Sequence, residues 1–505
     1  MEVFKWLLVL LVGAVVLTAF ARSLKLPYPS LLAVGGAALA LLSNGAEFTL
    51  HPELALALFV APVLLDAAFD TSLRDLKLYW APVLGLVVVA VGLTTFAVAW
   101  LVHSLVPGMP WAAAIALGAI VAPPDAAAAS AILRQLHLPH RMVVILEGES
   151  LLNDATALLI YRLAVSAAMG STFSTGVVAW QAMAMLASVL AGFVLAHVYI
   201  RIVQRVTDVP SAIVMQFVGA FGIWILADEI GLSAIVTIVT FAITASRITA
   251  ELTPASLRIP SYAVWETVVF VLNVLAFVII GLQVRPVLDS LEASERTNYL
   301  QIAGLVLATV VFVRIAWVFA YNGATRLKVK LFGVGRYNPT MAGSTIVSWC
   351  GMRGIVTLAT AFALPPAFPH RDLILLCAFT VVAGTLVVQG LTLRPLILLL
   401  GLKPDDTIAK EIRGAQAELA RVAAAIIDED ASDAAQILRA EFAMPSDEQI
   451  SDGSETEHAA RNRLRARIIA AQRHALVRMR DNGVISDDAF HPIEERLDRS
   501  EINVR

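Results

Sequence analysis

The stretch Glu147-Gly-Glu149-Ser150-Leu-Leu-Asn153-Asp154 places three acids inside a largely apolar run, 142–168. A run of that length is enough to cross the hydrocarbon core of a bilayer, which takes about 20 residues of helix. An ionisable group at that depth costs about 2.5–3.5 kcal/mol even on the milder insertion scales, so each acid needs a reason to be there. At about 100° per residue, Asp154, Ser150 and Glu147 share one helix face, while Glu149 and Asn153 share another. Asp154 and Glu149 lie about 140° apart around the axis, so the two acids point in different directions and serve different purposes.

The rest of the chain fits a membrane setting. Of its 505 residues, 58% are hydrophobic and 15% charged, against roughly 45–50% and about 25% in soluble domains. The charges are unevenly spread: 36 fall in the 103 residues from Lys403 to Arg505, leaving 41 for the first 402. This divides the chain into a lipid-embedded domain, 1–402, and a charged tail, 403–505. It excludes a soluble metabolic enzyme, and the net charge of −3 gives no reason to expect a nucleic-acid partner. Cys350 and Cys377 form no CxxC motif and read as small buried hydrophobes. No ATP-binding motif is present, and no cofactor is expected.

Thirteen apolar spans can be counted, at 4–21, 30–45, 53–70, 80–102, 111–133, 142–168, 176–200, 211–228, 232–247, 263–284, 299–321, 340–364 and 372–400. Arg22 and Lys25 directly follow the first span, which argues for a retained helix rather than a cleaved signal peptide. Alternate loops hold 14 Lys/Arg in one set and five in the other. Cytoplasmic loops carry such an excess, so the N-terminus should face outward and the tail should be cytoplasmic.

Two spans are interrupted. Span five contains Ala122-Pro123-Pro124-Asp125, and two prolines in mid-span break the helix. Span twelve contains Gly351-Met352-Arg353-Gly354. The two lie seven spans apart, as two six-span repeats, 1–6 and 8–13, would require. Paired broken helices at equivalent positions point to a transporter's ion site. Irregular backbone at that depth must be buried in protein or line a cavity. Arg353 needs a carboxylate, and Glu149, turned away from Asp154, is the candidate. Arg314 in span eleven also needs an acid, which the sequence does not name. Asp154, Ser150, Asn153 and the span-three Asp66 then remain as oxygen ligands for a small hard cation. A carboxylate that holds either a proton or a cation, but not both well, couples the two ions.

These residues resemble the bacterial and animal Na+/H+ exchanger family, a branch of the monovalent cation:proton antiporters. The likeness covers about 1–402. It is carried most specifically by Gly118 to Tyr161, with the Glu147-to-Asp154 segment strongest, then by Gly351-Met-Arg-Gly354 and by Pro62 to Asp66. The resemblance implies an all-α polytopic fold of thirteen helices in two inverted repeats, with a dimerisation part and a mobile core part that moves like an elevator. The discontinuous spans five and twelve, marked by Pro124, Asp125, Gly351 and Gly354, would cross near Asp154. It places the ion-carrying role on Asp154, contributions to the cation site on Asp66 and Ser150, and the structural ion pair on Glu149 and Arg353. It associates Asn153 with electroneutral one-for-one exchange, since relatives with Asp-Asp at this pair tend to be electrogenic. Where the family often has Thr-Asp-Pro in span five, this chain has Pro124-Asp125-Ala126, so a threonine hydroxyl is missing from the ligand set.

The expected activity is exchange of Na+, or of Li+, for protons, with K+/H+ antiport as the alternative. A receptor or an intramembrane enzyme is the reading from another class. No HExxH motif supports an enzyme, and a receptor would not need an Asn-Asp pair beside a double proline. The expected setting is a bacterial inner membrane, with membrane lipid around a homodimer. In the tail, 410–427 reads as helix, 430–456 as loop or disordered linker, and 461–480, with seven arginines, as a basic helix.

Overall fold

The structure is a computed structural model that describes residues 2–42, 52–125, 138–170, 175–289, 291, 296–332, 340–402, 405–430, 432–443 and 455–504. All regular structure among them is helical. Helices α1 (Glu2–Leu24) and α2 (Tyr28–Leu42) come first. Helix α3 runs from Pro52–Ala55 through a π-helical turn, Leu56–Val60, into Ala61–Phe69. The short α4 (Leu73–Leu78) precedes α5 (Trp80–Leu105) and α6 (Trp111–Val121). Next are α7 (His140–Ala168), α8 (Thr175–Val203), α9 (Val209–Glu229), α10 (Ala234–Leu252) and α11 (Ala255–Leu282). The six-residue α12 (Val284–Asp289) leads to the long α13 (Arg296–Phe332). Helices α14 (Met341–Trp349) and α15 (Ile355–Phe362) flank Gly351–Gly354, and α16 (Arg371–Leu400) ends the apolar part. The tail holds α17 (Thr407–Glu429), α18 (Asp433–Ala443), α19 (Glu455–Asp481) and α20 (Asp487–Val504).

Local chemistry sets many of these boundaries. The Asp208 carboxylate accepts the Ser211 N–H at 3.0 Å and starts α9. Gly401, at φ +57°, closes α16 in the left-handed conformation that glycine adopts freely. Six helices among the described residues are long and apolar enough to cross a membrane, and four shorter apolar ones accompany them. Val12 and Val16 of α1, Leu186 and Leu190 of α8, and Phe312 of α13 are exposed, as lipid-facing side chains are. Inside, Leu117 and Ile120 of α6, Val306 and Val310 of α13, and Leu373 and Leu376 of α16 share one buried cluster.

The broken span five ends its first half at Val121 and stays non-helical through Asp125. Its continuation, 126–133, lies outside the described residues. The reading of 430–456 as loop needs correction, because α18 occupies part of it. Ala434, Ala435 and Leu438 form a small apolar face there, buried against Ala423 and Ile427 of α17 and Leu464 and Ile468 of α19. Polar composition concealed that stripe, which only the facing helices complete.

Helices α2 and α11 meet backbone to backbone at Gly36 and Gly281. A Cβ on Gly281 would lie 2.6 Å from Ala37 N and 2.9 Å from the Gly36 carbonyl carbon. Small residues permit such an approach between apolar helices. The variant Gly281→Val should therefore force the pair apart at a cost of about 1–3 kcal/mol. A clearly lowered melting temperature in detergent is the expected result.

Candidate functional site

The two broken spans cross at their interruptions. Past the end of α6, the Asp125 N–H donates to the Met352 carbonyl at 2.7 Å. From α7, the Asn153 side-chain amide donates to the Pro124 carbonyl at 2.8 Å. Pro124 lies past the end of α6, in non-helical backbone, and its carbonyl accepts this side-chain bond. The Asp125 carboxylate lies against Gly354, the residue that caps the N-terminus of α15. A Cβ at Gly354 would collide with that carboxylate. An acid there opposes the positive end of the helix dipole.

The opposite helix ends expose carbonyls that water cannot reach, and two buried arginines satisfy them. Arg353, 1% exposed, donates to Val121 O and Ala122 O, each at 3.1 Å, and to Gly351 O. Its own N–H donates to Thr385 Oγ1 at 3.0 Å. Arg314 of α13 donates to Val347 O at 3.0 Å and to Cys350 O at 3.4 Å, at the end of α14. Gly351 is small because both arginines pass beside it. A Cβ there would sit 2.5 Å from Arg314 Cδ and 3.0 Å from Arg353 Nη1.

Glu149 is 2% exposed and pairs with Arg314, not with Arg353. The fork is bidentate, with Nη1 on Oε1 and Nη2 on Oε2, the latter at 2.9 Å. This corrects the expected Glu149–Arg353 pair and supplies the acid that Arg314 lacked. The physical reason is the supply of acceptors. Arg353 takes its partners from the terminal carbonyls of α6, and helical periodicity in the sequence does not reveal such groups. Thr385, which anchors Arg353, escaped the sequence reading; a hydroxyl within an apolar span was its only signal.

Glu149, Asn153 and Asp154 of α7 are buried, whereas Glu147 and Ser150 are only half-buried. The Asp154 carboxylate, in a residue 8% exposed, forms no hydrogen bond or ion pair with another described residue, and the Asp125 carboxylate acts on it electrostatically. Asn153 Oδ1 is buried and accepts no hydrogen bond among the described residues. Asp66 is half-buried near the end of α3, whose Leu64 packs in one cluster with Leu151 and Ala155 of α7. The structure thus brings Pro124, Asp125, Asn153, Met352, Arg353 and Gly354 together at one crossing, with Glu149 and Arg314 beside it. Asp66 approaches through the packing of its helix.

Leaving a buried charge without its partner costs about 3–5 kcal/mol. Glu149→Ala should accordingly reduce the yield of folded protein on size-exclusion chromatography. The charge swap Glu149→Arg with Arg314→Glu should not restore it, because a carboxylate at 314 would face the carbonyls of Val347 and Cys350. Full recovery in the swap would reduce Arg314 to a countercharge.

The chain is similar to known proteins. The transmembrane sodium/hydrogen exchanger family model matches residues 7–399. The chain is 32% identical to the sodium, potassium, lithium and rubidium/H+ antiporter of Bacillus pumilus, over 82% of this chain and 63% of that relative's length. It is 30% identical to the low-affinity Na+/H+ antiporter NhaS1 of Synechocystis, over 79% of this chain and 75% of the relative. Among solved structures, the sodium proton antiporter MjNhaP1 of Methanocaldococcus jannaschii superposes with a TM-score of 0.59 at 18% identity, covering 79% of this chain and all of that one. That likeness is one of fold. With a family match that runs through every apolar helix from α1 to α16, the chain belongs to the sodium/hydrogen exchanger family of monovalent cation:proton antiporters and is an integral membrane protein.

Proposed function

We propose that the protein exchanges a monovalent cation, Na+ first and Li+ or K+ as alternatives, for protons by competition at Asp154, one for one. The observation that carries this reading is that the Asp154 carboxylate forms no hydrogen bond or ion pair among the described residues, while Glu149, Arg314, Arg353 and Asn153 beside it all have fixed partners. Glu149 is held by Arg314, Arg353 by helix-end carbonyls, and Asn153 by Pro124. A carboxylate without a fixed countercharge requires a mobile one, either a proton or a cation. Hard cations take oxygen ligands, and the orphan Asn153 Oδ1 and the Ser150 hydroxyl stand one and four residues from Asp154 on α7. Asp66 adds a carboxylate from α3. The half-buried Glu147 and Ser150 mark the side of α7 along which ions would reach Asp154.

The thirteen-span, inverted-repeat layout, the cytoplasmic tail, the homodimer and a bacterial inner membrane belong to the same proposal. They are supported by the loop-charge pattern and by the family. The named cations of the relatives support a range wider than Na+ alone.

Everted vesicles from cells lacking their own antiporters, with an imposed proton gradient and an acridine dye, provide the test. Addition of Na+, Li+ or K+ should dequench the dye for wild type between about pH 6 and 9, and Asp154→Asn should abolish the response by removing the shared carboxylate. An equal response from the variant would leave Asp154 a structural residue. With a single ionisable carboxylate in the pair, exchange should be insensitive to a clamped membrane potential. Asn153→Asp adds a second proton carrier, so any exchange that it retains should become sensitive to that potential.

A further inference from the structure

Close to the crossing, one neutral side chain is buried with both of its polar atoms unbonded. Gln389 is the last residue of a π-helical turn, Thr385–Gln389, within α16, and it is 1% exposed. Among the described residues neither its Nε2 nor its Oε1 has a hydrogen-bond partner. A buried donor or acceptor left in this condition costs about 1–3 kcal/mol. An apolar residue would avoid that cost, so the amide needs a reason to be there. Turns of π-helix are uncommon and tend to mark functional positions.

The helix aims this amide at the interruption of span twelve. Residues three and four apart lie on one side of a helix. Thr385, four before Gln389, accepts the Arg353 N–H at 3.0 Å. Thr392, three after it, accepts the Trp349 Nε1–H at 2.9 Å. Gln389 stands between these two hydroxyls and so faces the intervening Cys350-Gly351-Met352. The next residue touches that stretch, since a Cβ on Gly390 would lie 3.5 Å from Met352 Sδ and would collide with Ser30 Oγ of α2. The buried Ser30 donates its hydroxyl hydrogen to Leu386 O at 2.5 Å, which leaves its oxygen able to accept. Gly351 and Met352 are buried in non-helical backbone, and among the described residues neither N–H has an acceptor.

We propose that Gln389 holds a buried water that bridges its amide to the N–H groups of Gly351 and Met352, and that this bridge positions the Met352 carbonyl on which Asp125 rests. The donor set selects the ligand. Oε1 and the Ser30 oxygen call for a donor, while Nε2 and the two backbone N–H groups call for an acceptor. Water supplies both, and buried waters typically make about three hydrogen bonds to such groups. A cation would face the N–H groups and the neighbouring Arg353, and an anion would face Oε1. The bonds at Thr385 and Thr392 fasten the two ends of 349–353 to α16, and the water fastens the middle. Met352 O in turn accepts the Asp125 N–H at 2.7 Å, and Asp125 acts electrostatically on Asp154. This positioning role rests on the antiport reading; the water site does not.

The test is hydroxyl-radical footprinting of the full chain, with radicals made from water by a brief X-ray pulse and the products located by mass spectrometry. Buried sulfur reacts only where water stands beside it. Met352 should be oxidised several-fold faster than Cys377, which is buried in the apolar cluster of α16. A thiol is at least as reactive as a thioether, so Cys377 is a stringent reference. Gln389→Leu should slow Met352 to the Cys377 rate. A wild-type Met352 no faster than Cys377, or a Met352 rate unmoved in folded Gln389→Leu, would overturn the water; if that variant does not fold, the wild-type comparison decides. In everted vesicles, Gln389→Leu should raise the Na+ concentration for half-maximal dequenching several-fold, a quantity that a lower yield of folded protein would not change. Slowed labelling with an unchanged half-maximal concentration would overturn the positioning role. If wild-type vesicles exchange no cation, the antiport reading and the positioning role fail together, and the labelling still decides the water.

Discussion

Helix ends inside a membrane leave carbonyls and N–H groups that lipid cannot satisfy, and the centre of this protein is organised around meeting that demand. Breaking spans five and twelve where they meet creates two C-terminal ends and an N-terminal end close together. Arg353 closes the first C-terminal end through Val121 and Ala122, and Arg314 closes the second through Val347 and Cys350. Asp125 lies against the N-terminal end at Gly354. The glycines of Gly351-Met-Arg-Gly354 follow from this, since side chains at either would occupy the space of the charged groups. Glu149 then balances Arg314, so the crossing is neutralised without recourse to Asp154.

That division of labour separates scaffold from chemistry. The scaffold charges are held in fixed, directional bonds, and altering one leaves another buried and unmatched. Asp154 has no such bond among the described residues, and Asn153 is tethered through its amide, which leaves its oxygen free. Under the proposed antiport, a site of this kind would exchange its occupant without dismantling the fold around it.

The tail connects with this arrangement through α7. Its loop-side residue His140 is held by the tail, and fourteen residues further along the same helix stands Asp154. Residues Arg74, Asp75, His140, Arg247 and Arg258 all contact the tail helices or their partners. Their loops therefore gather around the tail helices. The positive loops and the acidic tail complement one another in charge as well as in position.

Much of this was legible in the chain itself. Apolar runs of membrane length, prolines and glycines in mid-span, and acids placed where lipid opposes them are local properties, and local physics fixes their meaning. The placing of Glu149 and Asp154 in different directions around α7 follows from helical periodicity alone, while burial does not, since the structure buries Glu149, Asn153 and Asp154 and leaves Glu147 and Ser150 partly open. Partners were a different matter. Arg353 found main-chain carbonyls and Arg314 found Glu149, because acceptors at a broken helix end have no residue code and arise only when two spans cross. The tail helices α18 and α20 likewise became definite only against facing surfaces, where Ala434, Leu438, Phe490 and Ile493 are covered. The sequence determined which groups had to be satisfied inside the membrane; the tertiary structure alone decided which neighbour satisfies each, since that depends on distances between segments far apart along the chain.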